Sequence, residues 1–364
     1  MTIAGTLQNM ITTTPPDTRE DLPRRPRLLP GLAVLWRSPA TAQLGIDPAR
    51  AAVVQGLTAP QARLLRDLDG HHTVEELTAD DTTGEITELL ALLAGRGLLE
   101  DATPPPGPGE WALSPHLAPE LVGWSLGTGR PARGAITDRA DTAVVVQGNG
   151  RLTVAVATAL ATAGIGRVHV LTTGAVRPED TGTGYRDADV GRARDEAAMD
   201  AVSRAAPDVL ASRTPPQHGP DLTILADAVV PDPTRVSRLT RDGHPHLAVR
   251  VRDGTGMVGP VVLPGRSSCL RCADLHRADR DRGWPTMAAQ LAGHTQHADI
   301  ASTLMTTGLA VAQALLILGW PDTDTKPPPT YNGTLELDPV RGTILRRTWP
   351  PHPSCPCRRD KRKH

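Results

Sequence analysis

Thr142-Ala143-Val144-Val145-Val146-Gln147-Gly148-Asn149-Gly150-Arg151-Leu152 is the stretch on which the fold turns. Ala143 to Gln147 is dominated by consecutive β-branched residues, the pattern of a strand covered on both faces. Gly148-Asn149-Gly150 then makes a tight turn. Leu152 to Ala163 carries a helical pattern that stops at Gly164, and Arg167 to Leu171 reads as a second strand. Strand, glycine turn, helix and strand within about 30 residues begin a Rossmann-like sheet.

Downstream, Asp189 to Ala205 reads as a helix, and Asp221–Ala226 and Leu247–Val251 as strands. Thr303 to Leu318 is an Ala/Leu-rich buried helix. Thr330–Asp338 and Arg341–Thr348 suit an antiparallel hairpin that closes the domain. The expected α/β domain, with a mainly parallel sheet, spans residues 141–357. No internal repeat interrupts it.

Upstream, residues 101–140 form a linker and connecting segment. Its proline run forbids helix and extends the chain, and a helix follows near Glu120–Leu126. Residues 26–100 read as a compact module. Its strands are Leu32–Arg37, Ala42–Ile46 and Ala52–Leu57, and its first helix is Ala59–Leu68, stopped by Gly70. Thr73 and Glu76 complete a capping box on a short second helix. A third helix runs from about Gly84 to Leu99. Three strands followed by three helices suit a small winged-helix module, and equally a packing domain with no ligand. Residues 1–25 are polar, rich in Thr and Pro, and read as a disordered arm. Residues 358–364 are a basic, solvated tail.

The chain has 364 residues and a net charge of −1, which gives no electrostatic reason for a nucleic-acid or membrane partner. No apolar run approaches the ~20 residues that span a bilayer. The first 25 residues lack the apolar core of a signal peptide. A cytoplasmic protein with reduced thiols is expected. Phe is absent, so the core rests on Leu, Val, Ile and Ala; pattern and volume suffice for that.

The four cysteines fall into two pairs, Cys269-Leu-Arg-Cys272 and Cys355-Pro-Cys357. Two close pairs from distant segments can surround one tetrahedral zinc ion at about 2.3 Å from each sulfur. No cysteine is left over, so a closed, structural zinc site is expected, tying the chain's end to the domain. A redox dithiol or a cysteine nucleophile remains the alternative. The first pair reads as lying in a loop after Leu263-Pro264-Gly265-Arg266, which does not suit a thioredoxin-like helix start. His276 and His352 stand near enough in sequence to replace a ligand or to support one.

Gly148 and Gly150 match the first two glycines of a dinucleotide fingerprint, and Thr153 takes the third place. The turn lets a phosphate approach a helix N-terminus. The same geometry needs glycine even where nothing binds. The remaining histidines (His71, His72, His244, His246, His294, His297) and Trp36 and Trp284 read as solvated, hydrogen-bonded or packing groups.

Val144 to Gly150, Ala161-Thr162-Ala163-Gly164-Ile165-Gly166 and Asp189-Val190-Gly191-Arg192 together resemble the ThiF/MoeB group of ubiquitin-activating-enzyme-like adenylyltransferases. The paired cysteines resemble that group's structural zinc site. Pro264 through Arg277, with Asp279 and Trp284, is more specifically similar to an actinobacterial branch: leader-peptide-binding or cyclodehydratase partner proteins of azole/azoline (TOMM, bacteriocin-type) peptide biosynthesis. There a winged-helix module resembling PqqD precedes the ThiF-like domain, and residues 26–100 hold that place.

The resemblance implies a nucleotide site of Gly148, Gly150, Arg186, Arg192, Arg194 and Asp227, with ATP and magnesium as cofactors where it is active. This chain departs from the pattern at three points. Thr172-Thr173 stands where a ribose carboxylate is expected. Arg194 replaces a lysine, keeping charge but not geometry. Asp227-Ala228-Val229-Val230 keeps one carboxylate and loses the second, and Val230 cannot hold a metal. Weakened ATP activation follows.

The implied function is therefore a scaffold. It binds a precursor leader peptide, by strand addition, and presents it to a YcaO-type cyclodehydratase. An adenylyltransferase activating a C-terminal carboxylate is the alternative, without a spare cysteine for a thioester. A non-catalytic interaction protein is the third. The family also implies a homodimer.

Overall fold

The computed structural model describes residues 22–48, 51–103, 115–214, 216–320 and 326–357. Most of the expected N-terminal arm, the proline run at 104–114 and the basic tail lie outside them. The chain divides into two compact units, Met1–Thr137 and Asp138–His364.

The first unit holds β1 (Pro26–Leu28), β2 (Val34–Ser38), β3 (Thr41–Leu44) and β4 (Ala52–Gln55). Helices α1 (Ala59–Asp67), α2 (Val74–Leu77) and α3 (Glu85–Gly95) follow, then β5 (Leu99–Asp101) and α4 (Ala118–Thr128). Strands β2-β3-β4 form one antiparallel sheet, with β2 and β4 as its edges, and β1 pairs with β5. Two capping boxes start the helices, Thr58 with Gln61 and Thr73 with Glu76; only the second was anticipated. Leu99, expected at the end of the third helix, lies in β5 instead. The helix stops because Gly97 takes a left-handed φ of 65° that turns the chain back. Leu44, Leu64, Leu65, Leu90 and Leu93 make the aliphatic core.

Helix α5 (Arg133–Arg139) spans the boundary. The second unit then runs β6 (Ala143–Gln147), α6 (Arg151–Thr162), β7 (Arg167–Leu171), α7 (Arg194–Ala205), β8 (Leu210–Ser212) and β9 (Leu222–Ala226). It continues with α8 (Pro233–Arg241), β10 (His246–Arg252), β11 (Thr255–Val262), α9 (Leu270–Arg280), α10 (Trp284–Leu291), α11 (Ile300–Leu318), β12 (Gly333–Asp338) and β13 (Thr343–Thr348). One eight-stranded sheet orders them β13-β12-β11-β10-β9-β6-β7-β8. Strands β8, β7, β6, β9 and β10 are parallel, and β11, β12 and β13 extend the sheet antiparallel. The fold class is therefore α/β with a parallel, Rossmann-like half. The valines of β6 are buried on both faces, as their pattern requires.

Helix α11 is the buried, Ala/Leu-rich helix expected at Thr303–Leu318, but it corrects the expectation that no apolar run approaches the length of a membrane span. By length and composition it is apolar enough to cross a membrane. It packs instead on α6, β10 and β11 as a core helix, with Thr303, Thr306, Ala310 and Ala314 fully buried. Its small residues allow close approach to the sheet. A Cβ on Gly256 of β11 would collide with Thr306.

Candidate nucleotide turn and metal centre

The turn between β6 and α6 places Gly150 as the helix N-cap. Its free N–H groups point at the carboxylate of Asp227, just past the end of β9. That carboxylate accepts from Gly150 N at 2.8 Å, Leu152 N at 3.1 Å and Thr153 N at 3.3 Å, and from the Thr153 hydroxyl. Both glycines are needed for this closure. A Cβ on Gly150 would lie 2.5 Å from Asp227 Oδ1, and one on Gly148 would lie 2.6 Å from the Ala226 carbonyl oxygen. Asp227 is buried with a left-handed φ of 67°. Burial pushes its carboxyl above the usual range, opposed by the Thr153 hydroxyl and the three N–H donors.

Asn149 closes the other side. Its Oδ1 accepts from Thr172 Oγ1 at 2.9 Å and Thr173 N at 2.8 Å. The two threonines in the ribose-acid position thus hold the turn itself. Arg194 is buried and donates to Asp180 from Nη2 at 2.7 Å and Nε at 3.2 Å, and to the Thr173 carbonyl at 3.0 Å. Arg192 is paired with Asp189 and Asp200, at 2.6 Å each. Arg186 has an exposed side chain.

A cavity of about 260 Å³ remains beside the turn, and its lining includes Gly150, Arg151, Arg177, Arg194 and Asp227. Arg186 and Arg192 do not line it. Arg151 and Arg177 do, and neither was singled out from sequence. Arg151 had a signal available, since it directly follows Gly150.

The four cysteines meet. Sulfur separations are 3.7 Å for Cys269–Cys272, 3.5 Å for Cys269–Cys355 and 3.4 Å for Cys272–Cys357. All four ligand atoms lie within 4.8 Å of one another. Four sulfurs about 2.3 Å from one tetrahedral ion sit about 3.8 Å apart, so the cluster fits such an ion with a small expansion. A hydrogen bond from Cys269 pulls the Cys272 thiol down to about 4. The reciprocal bond and burial push Cys269 up, and burial pushes Cys357 up to about 12.

One expectation fails here. The first cysteine pair does not lie in a loop: Cys269 is the N-cap of α9 and Cys272 lies in its first turn. The helix end favours thiolates there. His276 and His352 stand beside the cluster and fasten the chain's end. His276 Nε2 is 2.9 Å from the Pro350 carbonyl, and His352 Nε2 is 2.9 Å from Asp279 Oδ2.

A model of the ThiF family matches residues 136–357, more than half of the chain. The chain belongs to the ThiF family. Both the glycine turn and the cysteine cluster lie inside the matched ThiF segment. No curated protein matches the chain. Among solved structures, Escherichia coli MccB with AMPCPP and MccA is similar at 13% identity and a TM-score of 0.67, covering 91% of this chain and 98% of that one. MccB with ATP gives 13% and 0.66 over 91% and 98%. A heterocyclase in complex with substrate and cofactor gives 16% and 0.60, covering 92% of this chain and 39% of that one. At these identities the likeness concerns the fold alone.

Proposed function

We propose that this protein is a zinc-stabilised ThiF scaffold that binds a precursor leader peptide and presents it to a YcaO-type cyclodehydratase in azoline, bacteriocin-type peptide biosynthesis. The observation that carries this reading is the closed glycine turn. Its helix donors already hold the Asp227 carboxylate, and the Arg194 guanidinium already holds Asp180. A phosphate would have to displace both, and burial makes each exchange costly.

The first unit supports the peptide half of the proposal. We assign it the role of a winged-helix-type peptide-binding module. It offers open strand edges at β2 and β4, where an extended peptide can add as a further strand. An open groove of about 690 Å³ runs beside β2, between Leu28–Val34, Trp36 and Leu65–Asp69. The similar MccB and heterocyclase structures contain MccA and a substrate respectively. The Cys269–Cys272–Cys355–Cys357 cluster takes zinc in this proposal, and a homodimer belongs to it.

The test is fluorescence anisotropy with labelled leader peptides of candidate precursors. Saturable binding that is lost when proline replaces Leu35 or Val53, one edge or the other, is expected. Binding untouched at both edges would sink strand addition.

A second reading has one observation in its favour. The cavity beside the turn carries Arg151, Arg177 and Arg194, and MccB has been solved with ATP and with AMPCPP. It makes the chain an adenylyltransferase. ATP–pyrophosphate exchange with magnesium and a C-terminal peptide, abolished by Arg194→Ala, would establish it over the scaffold reading.

A further inference from the structure

A second cavity, of about 220 Å³, lies beyond the carboxyl ends of β9 and β10, under α8, α9 and α10. It shares no lining residue with the cavity at the glycine turn. In open α/β sheets this end of the strands is where ligands bind.

Four arginines line it: Arg250 and Arg252 from β10, and Arg271 and Arg277 from α9. Among the described residues, the only acid in the lining is Asp274. Its Oδ1 is already occupied, accepting from Arg277 Nη1 at 2.9 Å and Trp284 Nε1 at 3.2 Å. Arg277 is further held between two indoles, 5.2 Å from Trp284 and 4.7 Å from Trp349. The nearby Glu336 is paired with Arg347 at 2.7 Å.

Arg250 is left over. It is 4% exposed, and the one side-chain hydrogen bond it makes among the described residues is a 3.5 Å approach to the Gly259 carbonyl. No carboxylate among the described residues pairs with it. Burial, and then the charges of Arg277 and Arg252, lower its guanidinium to about 9, only partly offset by the more distant charges of Asp274 and Glu336. A buried cation without a counter-ion is unfavourable in a finished fold. Here it faces an open cavity, which supplies a place for the missing anion.

The opposite wall is apolar, formed by Val229, Val230, Pro233 and Val236. The volume falls below the ~300–1,000 Å³ of drug-sized pockets. A small ligand fits, with a charged head and a short hydrocarbon body. A bare phosphate would leave the apolar wall unmatched, and a nucleotide exceeds the space.

We propose that this cavity is a carboxylate pocket, in which Arg250, Arg252 and Arg271 receive a carboxylate carried on a short aliphatic stem that packs against the valine wall. A peptide's C-terminal residue and an acidic side chain both present that chemistry. The assignment does not depend on whether the first unit binds a leader.

The experiment is calorimetric titration of the full-length, zinc-loaded chain. The probes are N-acetyl-leucine, N-acetyl-leucinamide, N-acetyl-glutamic acid α-amide and inorganic phosphate. N-acetyl-leucine or the glutamate derivative is expected to bind at least about tenfold more tightly than the leucinamide, the worth of one charge-assisted hydrogen bond. Which of the two acids binds better separates a terminal from a side-chain source. Arg250→Met and Arg252→Ala are each expected to lose about tenfold or more in that affinity. Arg250→Met is also expected to raise the melting temperature of the unliganded chain, since it removes an unpaired buried charge. A merely structural arginine would lower it. Equal binding of acid and amide, preferential binding of phosphate, or affinity unchanged in both variants would overturn the proposal.

Discussion

The cysteine cluster and the glycine turn belong to the same unit, and each is assembled from segments more than 70 residues apart. They differ in what is left over after folding. At the turn, the donors that would meet a phosphate largely have protein acceptors: Asp227 takes the helix N–H groups, Asn149 takes Thr172 and Thr173, and Asp180 takes Arg194, while the Arg151 Nε stays unpaired among the described residues. At the cluster, the sulfurs face one another, and the surrounding contacts are the apolar side chains of Leu225, Leu239, Val262 and Leu270. A cation is the partner that completes this second arrangement. A motif thus marks where a fold brings groups together, while the surrounding residues decide whether those groups stay free.

Metal removal should break the contrast most sharply. Metal analysis is expected to find about one zinc per chain. Chelation, or Cys272→Ala, is expected to cost on the order of 5 kcal/mol or more, since structural zinc sites contribute their binding energy to folding. Calorimetric melting with and without chelator reads this. A metal-free chain that melts with the loaded one would make the cluster as self-sufficient as the turn.

The next largest effect should come from the buried ion pair. Arg194 and Asp180 have side chains only 9% and 6% exposed. Arg194→Ala leaves an uncompensated buried charge and is expected to destabilise by about 3–5 kcal/mol. Arg192→Ala, which removes two pairs made by an arginine whose side chain is 40% exposed, is expected to cost far less. Denaturant melts of the two variants compare them. Equal, small losses would show that Arg194 is held for a ligand rather than for the fold.

Asp227→Asn should follow. The amide keeps the size but brings two donors of its own against a ring of donors, at about 2–3 kcal/mol. Its sign with pH is also fixed. Burial raises the folded carboxyl above its unfolded value of about 3.9. The native state therefore holds this proton more tightly, and its contribution improves as pH falls through the folded value. The asparagine variant should lack that gain. Urea melts from neutral to acid pH measure both effects, and a variant as stable as the parent would reopen the turn as a phosphate site.

The same contrast explains what could be read in advance. The parallel strands β6, β7, β9 and β10 announce themselves by apolar runs between turn residues. Strand β11 does not, although Met257, Val258, Val261 and Val262 are buried within it. Gly256, Gly259 and Pro260 demote the run, yet the glycines are there because α11 and β12 press against the strand. Helix α9 was hidden by its charges. Arg271, Asp274 and Arg277 break up its apolar pattern, and they line a cavity. Helix α8 had a usable signal in Asp232-Pro233, an N-cap that accepts from Thr234 N at 2.7 Å. For the site, Cys269, Cys272, Cys355 and Cys357 were legible because spacing alone restricts metal ligands. The closure by Asp227, Asn149 and Asp180 was not, because it depends on long-range partners that no local pattern encodes.

The smallest expected effect belongs to two histidines buried without a counter-charge. His246 is fully buried, with Nδ1 3.0 Å from the His244 carbonyl and Nε2 without a partner among the described residues. His169 is 4% exposed on β7. Burial lowers both imidazoles below their ordinary value of 6.5. The unfolded chain then binds protons near pH 6.5 that the native chain refuses, so stability is full above that pH and declines as pH falls through it. Each histidine should cost about 1 kcal/mol at one pH unit below its unfolded value. Urea melts from pH 7.5 to 5.5 are expected to show this slope, and His169→Leu with His246→Leu is expected to flatten it. These two histidines form the third case beside the turn and the cluster: a polar group with neither an internal counter-charge nor an ion to receive stays neutral. A double variant that keeps the full slope would place the proton uptake elsewhere and remove that third case.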